Sequence, residues 1–366
     1  MREIPQRLRL RLPVPSAAVF LIVAAVASDA VPSLAPSIHV VEWVGTIALV
    51  VILFDGGSSI GLRRFRTVAL PVAALGTVGT FATAGLVALF AHWALGLDWI
   101  MCGLLGAAIA PTDPAVMFSV LGDRAIGGVV QPMLEGESGA NDPVGIALML
   151  GMIELATKPH STFWIVVETF LLQMSVGLAF GIAGGLAERR LLRRLTQPTT
   201  GRHALATLTL AAVVFGAATL AHGSGFLAVF VAGLIVGPAF ENDLASLAEI
   251  VVFVALGLSI SLGNVSGTHW AEGIALAAFT ALVARPLSLG PLLAPTSLSR
   301  GEIGFVMWGG LKGAVPILLA AFAVARHVPD AHRLYDIVFV VVLVSVVVQG
   351  SSLSWAARRL GVTPRA

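Results

Sequence analysis

The chain reads as an all-α polytopic membrane protein, and two observations carry that reading. Of its 366 residues 57% are hydrophobic and 11% charged, with a mean hydropathy of +0.94, whereas a soluble domain carries roughly 25% charged residues. The apolar residues also come in runs close to the roughly 20 needed to cross a bilayer, punctuated by Gly, Pro and charge.

In chain order the spans fall at 14–32, 39–60, 67–92, 99–121, 133–156, 162–187, 204–221, 225–240, 245–262, 269–294, 302–326 and 333–357. The opening "MREIPQRLRLRLPVPSAAVFLIVAAVASDA" has the basic-then-apolar order of a signal peptide. The many later spans need no cleaved signal, so 14–32 is read as a retained first helix. With the N-terminus in the cytoplasm, the inner segments hold 17 of the 22 Lys and Arg and the outer segments three. The positive-inside rule predicts that bias for an even number of spans. Both termini are therefore expected in the cytoplasm and the protein in the cell (inner) membrane.

The polar stretch "ERRLLRRLTQPTTGRH" splits the chain near its middle. It gives a first half-repeat over 1–187 (core helices at about 99–156), a cytoplasmic basic linker over 188–203, a second half-repeat over 204–357 and a short tail over 358–366. The single Cys102 excludes an intrachain disulfide and any CxxC metal site. No basic patch is interleaved with aromatics, so nucleic acid is not an expected partner; the lipid bilayer is.

A charge at bilayer depth is costly and marks a functional candidate. Asp55, Asp113, Glu137, Asp142, Arg285 and Lys312 stand inside spans, while Glu154, Glu168 and Glu249 lie nearer span ends and read as solvated helix-end charges. Asp113 sits between Pro111 and Pro114, so "APTDP" should break its helix. Lys312 in "GGLKGAVP" has a comparable setting in the second half. Two interrupted spans at corresponding places point to an inverted-repeat transporter whose broken helices meet at the midplane and line an ion site.

Ser138, Asn141 and Asp142 fall at i, i+3 and i+4 and share one helix face. With Thr112 and Asp113 they offer the hydroxyl, amide and carboxylate oxygens that suit a hard monovalent cation. A poorly hydrated carboxylate there is neutralised by a proton or by a metal ion, and the two compete; a tenfold gradient of either is worth about 1.4 kcal/mol. Glu137 points about 100° round the helix from Ser138, and Lys312 is its expected partner across the halves, since an unpaired buried charge costs several kcal/mol. Asp55, ahead of Gly56 and Gly57, is either a third carboxylate of the site or a helix-end residue. Arg285, before Pro286, reads as a tether to backbone carbonyls.

The segments "APTDPAV", "ESGANDP", "HGSGFLAVFVAGLIVG", "FVALGLS" and "WGGLKGAVPILLA" together resemble the monovalent cation:proton antiporter family 1, the NhaP-type Na+/H+ and K+/H+ exchangers. The resemblance implies an inverted-repeat antiporter of thirteen helices, usually a homodimer, with a dimer domain and a moving core. By it, Asp113 is the Thr-Asp-Pro aspartate, Asn141 and Asp142 the Asn-Asp pair, Ser138 the serine ahead of them, and Lys312 the basic partner of Glu137. It implies exchange of Na+ or K+ for H+, electroneutral for the Asn-Asp version, with no cofactor, no resident metal and no enzymatic chemistry. Three departures stand out: the family's first helix is expected to be absent, Asp55 replaces a Glu, and Lys312 replaces an Arg. The short tail leaves no expectation of gating by a cytosolic regulatory domain.

Two other readings exist. "GESG" (Gly136 to Gly139) and "AHGSG" (Ala221 to Gly225) match the serine and histidine motifs of rhomboid intramembrane proteases, which would make Ser138 a nucleophile with His222 as its base. Such short Gly/Ser motifs recur by chance among 39 glycines, and the acidic core has no part in that chemistry. A cation channel shares the exchanger's oxygen ligands; flux coupling separates the two.

Overall fold

A computed structural model of the chain describes residues 15–113, 116–117, 129–194, 200–237 and 243–362. Among them all regular structure is helical: α1 Ser16–Ala30, α2 Ile38–Ala74, α3 Thr80–Leu95, α4 Trp99–Ile109, α5 Val130–Thr157, α6 Trp164–Arg194, α7 Thr200–Leu220, α8 Gly225–Val236, α9 Asp243–Leu258, α10 Gly267–Phe279, α11 Arg285–Leu293, α12 Arg300–Trp308, α13 Ala314–Ala325, α14 Ala331–Val344 and α15 Gly350–Arg359. Single π-helical turns, Leu75–Gly79, Thr280–Ala284 and Ser345–Gln349, join α2 to α3, α10 to α11 and α14 to α15. Large apolar side chains such as Leu70, Trp93 and Leu220 stand exposed, which suits a lipid surround and not water.

The sequence-predicted spans map onto these helices with instructive differences. Spans two and three are parted inside α2 at Gly61, whose non-helical φ of 64° and ψ of 151° only glycine adopts readily. Span four stops at Ile109, where Pro111 removes a donor; its remainder, 114–115 and 118–121, lies outside the described residues. Span eleven is two helices, α12 and α13, separated by the non-helical Gly310–Gly313. The expected linker over 188–203 is largely helical: α6 continues to Arg194 and α7 begins at Thr200. Glu, Arg and Leu are good helix formers and nothing interrupts them before Pro198. Residues 195–199 of that linker, 1–14 at the start and 363–366 of the tail lie outside the described residues.

Lipid supplies no hydrophobic force between helices, so close packing depends on small residues. The contact of α2 with α8 shows how. A methyl group at Gly57 would run into the Phe230 carbonyl oxygen, and one at Gly233 into that of Phe54, so each helix lends a glycine to the other's backbone. α8 in turn packs on α6 and α7, and α9 on α1 and α2. A second set forms as α3 packs on α4, α4 on α5, α10 on α14, and α13 on α14 and α4. Between the two sets run the contacts of α5 with α2 and α6 and of α13 with α2 and α9.

Candidate functional site

A helix that stops inside the membrane leaves its last carbonyls without amide partners. α4 and α12 both do so, and a cation closes each end. Lys312 Nζ donates to the carbonyl oxygens of Ala110 and Pro111, each at 3.0 Å. Arg285 donates through Nε to Met307 O at 2.9 Å and through Nη2 to Val306 O at 3.1 Å. Positive charge at a helix C-terminus also complements the dipole. The two extended pieces meet where Asp113 N donates to Leu311 O at 2.8 Å.

Polar side chains fix the crossing on either side. Thr112 N donates to Asn141 Oδ1 at 3.3 Å, Asn141 Nδ2 to Thr112 Oγ1 at 2.8 Å, and the Ser138 hydroxyl to Thr112 O at 2.6 Å. On the other side Lys312 N donates to Ser345 Oγ at 2.9 Å, Ser345 Oγ to Gln349 Oε1 at 2.8 Å, and Gln349 Nε2 to Trp308 O at 3.1 Å. Ser345 and Gln349 belong to one π-helical turn. Sequence reasoning passed them over, although "SVVVQ" inside an apolar run was a visible signal.

These bonds do not include Asp142. Asp142 is 4% exposed, its Oδ1 has no hydrogen-bond partner, and its charge interacts with those of Asp113 and Lys312. The structure thus brings together Thr112, Asp113, Ser138, Asn141, Asp142 and Lys312. Ser138, Asn141 and Thr112 hold one another, so their first task is to fix the crossing; the hydroxyl and carbonyl oxygens keep spare lone pairs. Asp55 stands on α2, six residues before the bend at Gly61, and its electrostatic neighbour is Glu135.

The expected Glu137–Lys312 pair does not form. Glu137 instead meets Arg285 in a two-pronged fork, Nη1 to Oε1 at 2.9 Å and Nη2 to Oε2 at 3.1 Å, with both residues buried. The planar guanidinium matches both carboxylate oxygens and still reaches α12, which a point-charge ammonium does not do. Arg285 is therefore a tether to carbonyls, as the sequence suggested, and also the counter-ion.

Gly313 gives the crossing its tightest constraint. A methyl group there would enter the Asp113 carboxylate. Gly313→Ala is expected to lower transport at least about tenfold while α12 and α13 still form, because displacing one ligand by about 1 Å has effects of that order or more. Transport at the wild-type rate in reconstituted Gly313→Ala would show that Asp113 is free to move aside.

The serine-protease reading finds no support here. The Ser138 hydroxyl is donated to Thr112 O, and "AHGSG" is the turn into α8, with Ser224 Oγ capping Leu227 N at 3.2 Å.

Two interrupted helices crossing inside an all-helical membrane chain define the transporter class in which ions bind at such a crossing. The sequence model of the family "Sodium/hydrogen exchanger, transmembrane" matches residues 5–359, and the chain belongs to that family, one of ion exchangers and not of enzymes. It is 37% identical over 329 residues to the K(+)/H(+) antiporter NhaP of Alkalimonas amylolytica, covering 87% of this chain and 57% of that one. It is 32% identical over 363 residues to the K(+)/H(+) antiporter NhaP2 of Shewanella sp. (strain ANA-3), covering 95% and 63%. The chain thus spans about three-fifths of the length of these curated relatives. The sodium proton antiporter MjNhaP1 of Methanocaldococcus jannaschii superposes with a TM-score of 0.77 at 22% identity, covering 93% of this chain and 94% of that one, and so shares the fold.

Proposed function

We propose that the chain exchanges Na+ or K+ for H+ across the cell (inner) membrane, one for one, by competition at Asp142. The carrying observation is the buried Asp142 carboxylate oxygen that has no hydrogen-bond partner among the described residues, beside a second acid and at a crossing where Thr112, Ser138, Asn141 and Lys312 are bonded. An unpartnered buried carboxylate oxygen is destabilising, and either a proton or a monovalent cation relieves it. Thr112 O, Ser138 Oγ and Asp113 are the further oxygens available to such an ion. Relatives named K(+)/H(+) and Na(+)/H(+) antiporters support the same chemistry. The bias of positive charge toward one set of loops supports cytoplasmic termini, and the family resemblance supports a homodimer.

The experiment is proton flux in proteoliposomes on addition of Na+, K+ or Li+. A pH change driven by Na+ or K+ is expected, and no flux with any cation would reject the reading. One-for-one exchange also predicts that the rate is unchanged when a membrane potential of about 100 mV is imposed. A translocated net charge would feel about 2.3 kcal/mol at that potential and alter the rate severalfold or more. Current through the protein without proton movement would identify a channel.

A further inference from the structure

Glu249 looked like a solvated helix-end charge in the sequence, and Glu154 is one: it meets Lys158 at 3.3 Å on the next turn and accepts from Thr169. Glu249 differs. Its Oε1 is out of reach of solvent and has no hydrogen-bond partner, and its charge interacts with that of Asp113. It stands on α9, which packs against both α2 and α13. α13 begins directly after Gly313, the residue that abuts Asp113.

Depth adds to this. At 1.5 Å per residue, Glu249 lies about 9 Å into α9 from Asp243, and Asp55 about 9 Å from the bend at Gly61. Glu135 lies about 8 Å and Asp142 about 18 Å into α5 from Val130. By the charge bias of the sequence, these three points belong to the face of the basic loops. Counted along the helices from those points, Asp55, Glu135 and Glu249 fall at one level of about 8–9 Å, and Asp142 lies about 10 Å farther along α5 than Glu135. Asp55 and Glu135 interact with one another, and Glu135 also feels Arg64 and is bonded by Gln131 at 2.9 Å. Glu249 is the member of this level whose interaction reaches down to the crossing.

We propose that Glu249 is a staging ligand: a monovalent cation entering from the basic-loop face binds its carboxylate before passing to Asp113 and Asp142. The inference rests on the exchange function proposed above. It makes Glu249 a determinant of ion loading at one face, distinct from the carboxylate at which the ions compete. A fixed negative charge concentrates any cation, so its removal weakens loading of metal ion and proton together. A shift common to both ions satisfies detailed balance, because it leaves the overall equilibrium of exchange unaltered.

The test is the cation dependence of exchange in reconstituted vesicles of known orientation, with Glu249→Gln and, in parallel, Asp142→Asn. Removing one partly buried charge is expected to raise the half-saturating cation concentration on the order of tenfold when the cation is offered at the basic-loop face. Little change is expected at the opposite face, and Glu249→Asp should recover much of the loss. Unchanged half-saturation at the basic-loop face, or an equal rise at both faces, would overturn the proposal. Should the glutamine variant not insert, Glu249→Met, of similar length and without charge, gives the same readout. If the wild-type protein shows no cation-driven proton flux, the exchange reading itself fails; if wild type exchanges and Asp142→Asn is inactive while Glu249→Gln matches wild type, only the staging role fails.

Discussion

Asp142→Asn is expected to abolish cation-driven proton flux, with a loss of more than about 100-fold. An amide of nearly the same shape keeps the packing of α5 but neither carries negative charge nor takes up a proton in the working range. A carboxylate–cation contact about 4 Å long is worth several kcal/mol even at an effective dielectric constant of about 20, and each 1.36 kcal/mol is a factor of ten. The fold should survive, because the bonds that fix the crossing come from Ser138, Asn141 and Lys312 and not from Asp142. Flux with each alkali cation, alongside the melting temperature in detergent, checks both parts. Substantial exchange in a well-folded Asp142→Asn would move the competing group elsewhere.

The second large effect concerns the Glu137–Arg285 fork. Removing one partner of a buried pair leaves an uncompensated charge and costs about 3–5 kcal/mol. Glu137→Gln alone should therefore lower thermal stability sharply. Arg285→Gln alone should do so further, because the carbonyls of Val306 and Met307 lose their donor as well. The double variant should be less unstable than the two losses added, by up to about 3 kcal/mol. Glu137→Gln combined with Lys312→Met should show less relief, since Lys312 feels the Glu137 charge without a direct bond and is itself bonded to the end of α4. A coupling to Lys312 larger than that to Arg285 would contradict the fork.

These two cases also show what the sequence made legible. The spans, the two interruptions and the aspartate pair could be read because charge and proline inside the membrane are costly and therefore stand out. Asp142 could be grouped with Ser138 and Asn141 because helical spacing puts the three on one face. The partner of Glu137 could not be read the same way. Arg285 and Lys312 are both interior cations of the second half, and only the three-dimensional path of α11 brings the guanidinium to α5. Ser345 and Gln349 were overlooked because neutral polar residues carry no penalty large enough to notice. Glu249 was set aside because position along a helix gives depth but not which neighbours a side chain meets. The helical continuation over 188–194 was read as linker because its arginines were weighed as loop charges, although their helix-forming tendency acts equally at a membrane surface.

Both interior cations are already committed to stopping the ends of α4 and α12, and among the described residues neither forms an ion pair with Asp142. Among the described residues, then, only the longer-range charge of Lys312 offsets that acid when it holds no passenger. An empty carrier would have to drag a bare negative charge through the low-dielectric interior to reset itself, and the barrier to that slip closes the uncoupled route. For the exchange proposed above, tight stoichiometry would then need no separate gate, because the missing ion-pair partner would make every return journey a loaded one.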